Sequence, residues 1–146
     1  MTGTAGEDIR RVAWYGTAAF AATAVAAVLA EPLREVALAV DVLLFLAGVV
    51  AFGAAYVRAV ARSRGESIAV TSLFFLAGSA PPDARRSLLG ALATQAVVAV
   101  GTAIARPYTI LAAGTLVPIY GLGLCGLWAA RHGTFPPREG PPAERR

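Results

Sequence analysis

Four long apolar runs, separated by clusters of arginine, constrain the fold of this chain more than any other feature of its sequence. A helix needs about 20 mostly apolar residues to cross a hydrocarbon core roughly 30 Å thick. The chain is 57% apolar and only 15% charged, whereas soluble domains carry about 25% charged residues. The runs therefore predict four transmembrane helices, which cover residues 12–30, 36–57, 87–105 and 109–130.

The loops inside the first and second pair of spans are only a few residues long. Helices joined by short loops pack as antiparallel neighbours. We therefore predict an all-α membrane protein, a four-transmembrane-helix bundle made of two antiparallel helical hairpins, over residues 12–130. A polar segment, residues 1–11, precedes this domain, and a flexible tail rich in proline and arginine, residues 131–146, follows it.

A fifth apolar stretch, "SIAVTSLFFLAGSAPP" at residues 67–82, lies between two arginine clusters. Its apolar core, Ile68 to Ala80, has 13 residues, or about 20 Å of helix, which is too short for a crossing. We therefore expect a short interfacial helix over residues 67–80, in a central cytoplasmic loop. A re-entrant dip into the bundle is the alternative, because apolar and polar residues are poorly separated around this stretch.

The distribution of arginine predicts the orientation of the spans, because short arginine-rich loops stay in the cytoplasm. If residues 67–80 do not cross, eleven of the 13 basic residues lie on the side of the termini and the central loop. Only Arg34 and Arg106 lie on the other side. We therefore expect both termini in the cytoplasm.

Composition indicates the compartment and the partners. The chain has no lysine and abounds in alanine, valine and glycine, which is typical of GC-rich coding and favours a multi-pass protein of a bacterial cytoplasmic (inner) membrane. Its arginines interrupt apolar runs and do not cluster on a soluble face with exposed aromatic residues, so nucleic acid is not an expected partner. The expected partners are the bilayer with its anionic inner leaflet and a membrane protein or a second copy of the chain.

Small residues spaced four apart predict where the spans touch, because helices in lipid associate by close approach at small side chains. We expect one such row in each span to pack inside the bundle. The rows are Ala18, Ala22, Ala26 and Ala30; Ala47, Ala51 and Ala55; Ser87, Ala91, Gln95, Ala99 and Ala103; and Gly121, Cys125 and Ala129.

Asp41 is the only acidic residue inside a predicted span. An acid at the bilayer centre costs roughly 2.5 to 3.5 kcal/mol, and it is by default a candidate for proton or cation relay. Two other interpretations stay open. In one, the membrane passage starts at Val42 and the carboxylate lies at the outer headgroups. In the other, Asp41 forms an ion pair with Arg106.

Gln95 and Pro118 complete the candidate polar contacts, Asp41, Gln95, Arg106 and Pro118. Gln95 has two interpretations. It contacts a ligand or lines a pore, or it makes an interhelical hydrogen bond, which contributes about 0.6 kcal/mol on average in membrane proteins. Pro118 removes a backbone hydrogen bond from the fourth span and predicts a kink there, which acts as a hinge or as a packing device.

The sequence contains no recognised catalytic, cofactor-binding or metal-binding pattern in the context that would support it: H-E-x-x-H, G-x-S-x-G and the P-loop are absent, and no G-x-G-x-x-G follows a strand. The single cysteine, Cys125, excludes an internal disulfide and a multi-cysteine metal site. The single histidine, His132, suits a helix end with Gly133 as the C′ residue. We therefore expect a protein that is not an enzyme and needs no cofactor.

Two stretches of the C-terminal half, "SLFFLAGSAPPDARRSLLGAL" and "RPYTILAAGTLVPIYGLGLCGLWAARHGTFPPR", resemble small four-span integral membrane proteins of GC-rich bacteria such as actinobacteria. That group has no established activity, so the resemblance implies no site residues. Small multidrug exporters also have four spans, but they use a glutamate in the first span, and this first span has no acid.

These observations favour a non-enzymatic accessory or scaffold subunit of a larger membrane complex, which binds its partner through alanine-rich faces and the arginine-rich inner surface. The alternative is a small oligomeric transporter or channel in which Asp41, Gln95 and Pro118 line the path. A membrane enzyme acting on lipids is the least favoured, because no set of acid, base and nucleophile is present.

Overall fold

Helices make up the regular elements of residues 6–140, the part of the chain that this computed structural model describes. Four helical segments in this part, Glu7–Leu29, Glu31–Arg62, Pro82–Ala105 and Ile110–His132, are long and apolar enough to cross a membrane, which agrees in number with the four predicted apolar helices. The elements are α1, Glu7–Leu29; a 3-10 turn, Glu31–Leu33; α2, Arg34–Arg62; α3, Val70–Phe74; α4, Pro82–Ala105; a 3-10 helix, Ile110–Leu116; and α5, Pro118–His132.

The ends of α4 follow from proline chemistry. Pro82 occupies the start of the helix, where its missing N–H costs nothing, and Asp83 in the first turn faces the positive end of the helix dipole. At the other end Arg106 precedes Pro107, and a residue before proline is pushed out of the helical region. Arg106 has φ −137° and ψ 67°, so α4 ends at Ala105.

The last helix, α5, lies at the centre of the fold. Nine of its 15 residues are buried, and it packs most extensively against α2, with further contacts to α4 and α3. In contrast, α2 buries only six of 29 residues. Its outward side chains, such as Leu43 and Val50, are 67% and 72% exposed, which is the apolar outer surface that a helix in lipid presents.

Glycines bring α2 and α5 into close contact. A Cβ atom added at Gly48 would lie 2.5 Å from the backbone nitrogen of Tyr120, and one added at Gly123 would lie 2.5 Å from the carbonyl oxygen of Gly48. Farther along α5, Gly126 leaves room for the ring of Phe74. The predicted rows are correct in part: Ala51, Ala55, Gly121, Cys125 and Ala129 are buried, but Ala47 is exposed and the contact falls on Gly48.

The row predicted for the third span is also buried at Ala91, Gln95 and Ala99, but the row predicted for the first span is wrong. Ala18 and Ala22 are exposed. Alanines occur on every side of α1, so their spacing alone could not identify the packed face. The large Phe20 decides it, because it is 1% exposed and orients α1 inward. The buried face comprises Ile9, Ala13, Gly16, Thr17, Phe20, Ala24 and Ala27.

The sequence predicted a single kinked α-helix for the fourth span, but the structure divides this span into two helices. Its first part, Ile110–Leu116, is a 3-10 helix, and α5 begins afresh with Pro118 in its first turn. A proline ring clashes with the carbonyl group four residues earlier, here that of Gly114. The backbone avoids the clash by tighter turns, in which the N–H of Val117 donates to the carbonyl of Gly114 at 3.1 Å.

The central stretch contains a shorter helix than the 67–80 predicted. The α3 helix covers only Val70–Phe74, because Leu76 adopts a positive φ of 56° and the chain turns back. The Ser79 hydroxyl donates to the Ser72 carbonyl and closes this turn. The positive φ costs of order 1–3 kcal/mol, and it places the Leu76 side chain, 0% exposed, in the core.

The tail predicted to be flexible from residue 131 is partly ordered in the structure. Arg131 and His132 belong to α5, and residues 133–138 are hydrogen-bonded to the central loop. The N–H of Ser67 donates to the Pro136 carbonyl at 2.8 Å, and the N–H of Arg138 donates to the Gly65 carbonyl at 3.0 Å. This part of the chain is therefore held against the central loop. Residues 141–146 of the predicted tail, and residues 1–5 of the predicted N-terminal segment, lie outside the described residues; residues 7–11 already belong to α1.

Candidate functional site

Asp41 lies inside the bundle, on the inward face of α2. It is 3% exposed, and its Oδ1 atom has no hydrogen-bond partner among residues 6–140. The protein itself, and not the headgroup region, therefore covers this carboxyl group. A buried polar group without a partner is rare in native proteins and calls for a functional explanation.

The 3-10 helix Ile110–Leu116 packs directly over Asp41. A Cβ atom added at Gly114 would lie 3.5 Å from Asp41 Oδ2, at ordinary contact distance, and a tighter 3.2 Å from the ring of Phe20, so the backbone of this helix lies close to both side chains. Seven residues are long for a 3-10 helix, and such a stretch within a span often marks a hinge. The site therefore combines a buried acid with a discontinuous span, an arrangement that membrane transporters use to bind ions.

Arg106 does not pair with Asp41. Its Nη2 atom donates to the Val28 carbonyl at 3.1 Å, in the last turn of α1. A cation at this place also complements the negative end of the helix dipole. The other nearby arginine in sequence, Arg34, donates to Glu31 at 3.1 Å. The predicted ion pair of Asp41 and Arg106 is thus absent from the ion pairs of residues 6–140.

Gln95 joins three helices through its amide. Its Nε2 atom donates to Thr17 Oγ1 of α1 at 2.8 Å, while its Oε1 atom accepts the N–H of Gly121 in α5 at 3.0 Å. Thr17 in turn donates to the Ala13 carbonyl at 2.7 Å. Gln95 is 0% exposed, so this network is sealed from solvent and lipid. These bonds explain the presence of a buried amide at this position by interhelical hydrogen bonding, without a ligand.

Pro118 acts on the site through the backbone, since it ends the 3-10 helix and starts α5. The following turn carries Tyr120, whose hydroxyl donates to the Val12 carbonyl at 2.7 Å, while Gly16 provides the space for its ring. Gly114 and Pro118 stand four residues apart, which is the spacing at which a proline ring meets a carbonyl group. The presence of Pro118 inside the predicted span 109–130 was the available signal for the break.

Arg62 binds groups at the opposite end of the bundle, a role that the sequence analysis did not predict. Its guanidinium group binds both carboxylate oxygens of Glu66, at 2.8 and 3.1 Å. It also donates to the carbonyls of Ala130 and Gly133, at 3.1 and 3.0 Å, and so caps α5. The side chain lies over the ring of Phe135. The Arg-x-x-x-Glu spacing was the signal for the ion pair.

Arg62 also replaces the expected helix cap. Gly133 follows α5 with φ −68°, an extended conformation, and so does not form the left-handed C′ residue predicted from His132–Gly133. His132 instead lies beside the ring of Trp128, with the ring centres 5.7 Å apart.

The described residues hold no group of three or more histidine, cysteine, aspartate or glutamate side chains that could bind a metal ion. Cys125 is fully buried as a free thiol against the core. Asp41 therefore remains the site residue whose chemistry the packing does not use. Comparison of the chain with protein-family models, curated protein sequences and solved structures found no match.

Proposed function

We propose that this protein is a multi-pass protein of a bacterial cytoplasmic membrane and a non-enzymatic accessory or scaffold subunit of a larger membrane complex. Four helices of sufficient length and hydropathy support the membrane location. The exposed valine and leucine side chains of α2 support a lipid-facing exterior. The outward row of small residues on α1 supports the role as a subunit.

The proposed topology is two antiparallel hairpins with both termini in the cytoplasm. At one end of the bundle, Trp14 Nε1 donates to Ser87 Oγ at 3.1 Å, and Arg62 reaches Ala130. At the other end, Arg106 reaches Val28. These contacts favour an up-down-up-down order. The first end then holds most of the arginines, and the positive-inside rule assigns it to the cytoplasm; α3 and its flanks lie at the inner interface.

The observation that carries the proposal is the unused alanine row of α1. Ala18 and Ala22 are exposed, and Ala22 lies nearly opposite Ala13 and Ala24 on the helix. Helices in lipid associate through such rows of small residues, because these allow two backbones to approach closely. Within residues 6–140 no other helix covers this row, so it is suited to a helix of a partner subunit.

The test is co-purification from native membranes in mild detergent with a matched pair of variants. Ala22→Phe adds bulk to the proposed docking row, whereas Val97→Phe adds an aromatic ring at a site on α4 that is 72% exposed. We expect a stoichiometric membrane partner with the wild-type chain and with Val97→Phe, and its loss with Ala22→Phe. Equal recovery of the partner by both variants would reject the α1 docking face, and the absence of any partner would reject the subunit role.

A small oligomeric transporter or channel is the second candidate, and Asp41 beneath a discontinuous span favours it. Purified protein in liposomes should then carry ions or solutes without any other component, and Asp41→Asn should abolish the flux. An Asp41→Asn variant that transports like wild type would exclude a relay through this residue.

A further inference from the structure

The carboxyl group of Asp41 has almost no contact with solvent and no charged partner. It is 3% exposed, and its Oδ1 atom is unbonded among residues 6–140. Arg34 binds Glu31 through Nη1 while its Nε atom is also buried and unbonded, Arg106 binds the Val28 carbonyl, and neither arginine forms an ion pair with Asp41. An ionised carboxylate here would be an unpaired charge in apolar surroundings, and a buried acid escapes that state by taking up a proton. We propose that Asp41 is a proton-binding site, at which burial favours the neutral, protonated form of the carboxyl group compared with an exposed aspartate.

The elements around α2 bring no opposite charge to this point. Gly114 of the 3-10 helix lies close to both Asp41 and the ring of Phe20 from α1. Residues 110–116 contain no ionisable side chain. The 3-10 turn carries Glu31, which binds Arg34. The ionisable groups of α5 and α1 lie elsewhere along the bundle: Tyr120, Cys125, Arg131 and His132 of α5, and Glu7, Asp8, Arg10, Arg11 and Tyr15 of α1.

A proton fits this site better than a metal ion does. Metal cations require several oxygen, nitrogen or sulfur ligands, and the ring of Phe20 offers none. No group of three or more histidine, cysteine, aspartate or glutamate side chains stands together among residues 6–140, so Asp41 has no partner ligands of these types. A proton needs only the carboxyl oxygen itself.

Comparison with Gln95 shows that the acid is not a packing device. Gln95 is equally buried, and both polar atoms of its amide make interhelical hydrogen bonds. Asp41 makes no such side-chain bond in the described part of the chain, so a neutral side chain of the same size would pack equally well. The 3-10 helix over it provides a local cover whose opening allows proton exchange, because 3-10 hydrogen bonds have poorer geometry than α-helical ones.

A hydrophobic carbodiimide tests the proposal on the full chain in lipid vesicles at pH 7. The reagent reacts with a protonated carboxyl group within lipid: the carboxyl oxygen bonds to the central carbon, the acid proton moves to nitrogen, and nothing leaves. We expect one adduct per chain, mapped by mass spectrometry to Asp41 and absent from Asp41→Asn. The exposed carboxylates of Asp8 and Glu31 serve as internal controls and should stay unmodified. The rate should fall as the pH rises and should not change with sodium or potassium at constant ionic strength.

Infrared spectroscopy gives a second readout that does not depend on reagent access. The carbonyl band of a protonated carboxylic acid should be present in the wild type and missing in Asp41→Asn at the same pH. Absence of that band at every pH at which the carbodiimide labels Asp41, or protection of Asp41 by sodium or potassium, would overturn the proposal. Labelling is measured without flux, so a labelled protein that transports nothing would refute the transporter role and leave the proton site intact.

Discussion

Replacement of Gln95 by leucine tests whether the buried amide holds the bundle together. Leucine has a similar volume and no polar atoms, so the variant removes two hydrogen bonds without leaving a large cavity. The lost bonds are those from Gln95 Nε2 to Thr17 and from the Gly121 N–H to Gln95 Oε1. Thr17 keeps its own bond to the Ala13 carbonyl, so its hydroxyl is not left without a partner. The buried Gly121 N–H loses its acceptor, which places the expected loss toward the upper end of the interval given below.

The magnitude follows from the number of bonds. Polar interhelical bonds in membrane proteins contribute about 0.6 kcal/mol on average and about 1.7 kcal/mol at most. Two bonds therefore contribute about 1.2 kcal/mol, with an upper bound of about 3.4 kcal/mol. We expect the free energy of unfolding of Gln95→Leu to fall within that interval.

The assay is reversible unfolding of the full chain in mixed micelles by a denaturing detergent, followed by circular dichroism. A double-mutant cycle with Thr17→Val should give a coupling of about 0.6 kcal/mol. Thr23→Val is the matched control, because Thr23 bonds only to carbonyls of its own helix. Asp41→Leu should be at least as stable as the wild type, since it breaks no hydrogen bond. A Gln95→Leu variant within about 0.3 kcal/mol of the wild type would refute the reasoning.

Two further predictions concern backbone contact and capping. Gly48→Ala should lose about 1–3 kcal/mol of stability, because its Cβ atom would lie 2.5 Å from the Tyr120 backbone; Gly53→Ala, with no atom within 4 Å, should be neutral or stabilising in the same unfolding assay. Arg62→Ala should speed amide hydrogen exchange over residues 133–138 roughly tenfold or more, because hydrogen bonds to charged groups contribute about 1.5–3 kcal/mol. The exposed Arg58→Ala should leave that exchange unchanged, and equal rates in all three proteins would contradict the capping role.

Hydrophobicity alone determined the number and approximate position of the spans. Lipid-facing and core-facing residues of a membrane helix are equally apolar, so a run such as residues 36–57 is visible without knowledge of its neighbours. For the same reason, the sequence could not show which side of α1 packs inward. Ala22 and Ala24 are the same residue type, and only the packing around Phe20 buries one and exposes the other.

For the polar residues too, the sequence shows their positions, and only the tertiary structure shows their contacts. The sequence alone singled out Asp41 and Gln95, because polar side chains within apolar runs are conspicuous. Only the tertiary structure showed that Gln95 is bonded on both sides while Asp41 lies under Gly114 without a partner. Hydropathy depends on each side chain separately, whereas hydrogen-bond satisfaction depends on which groups other helices bring within about 3 Å.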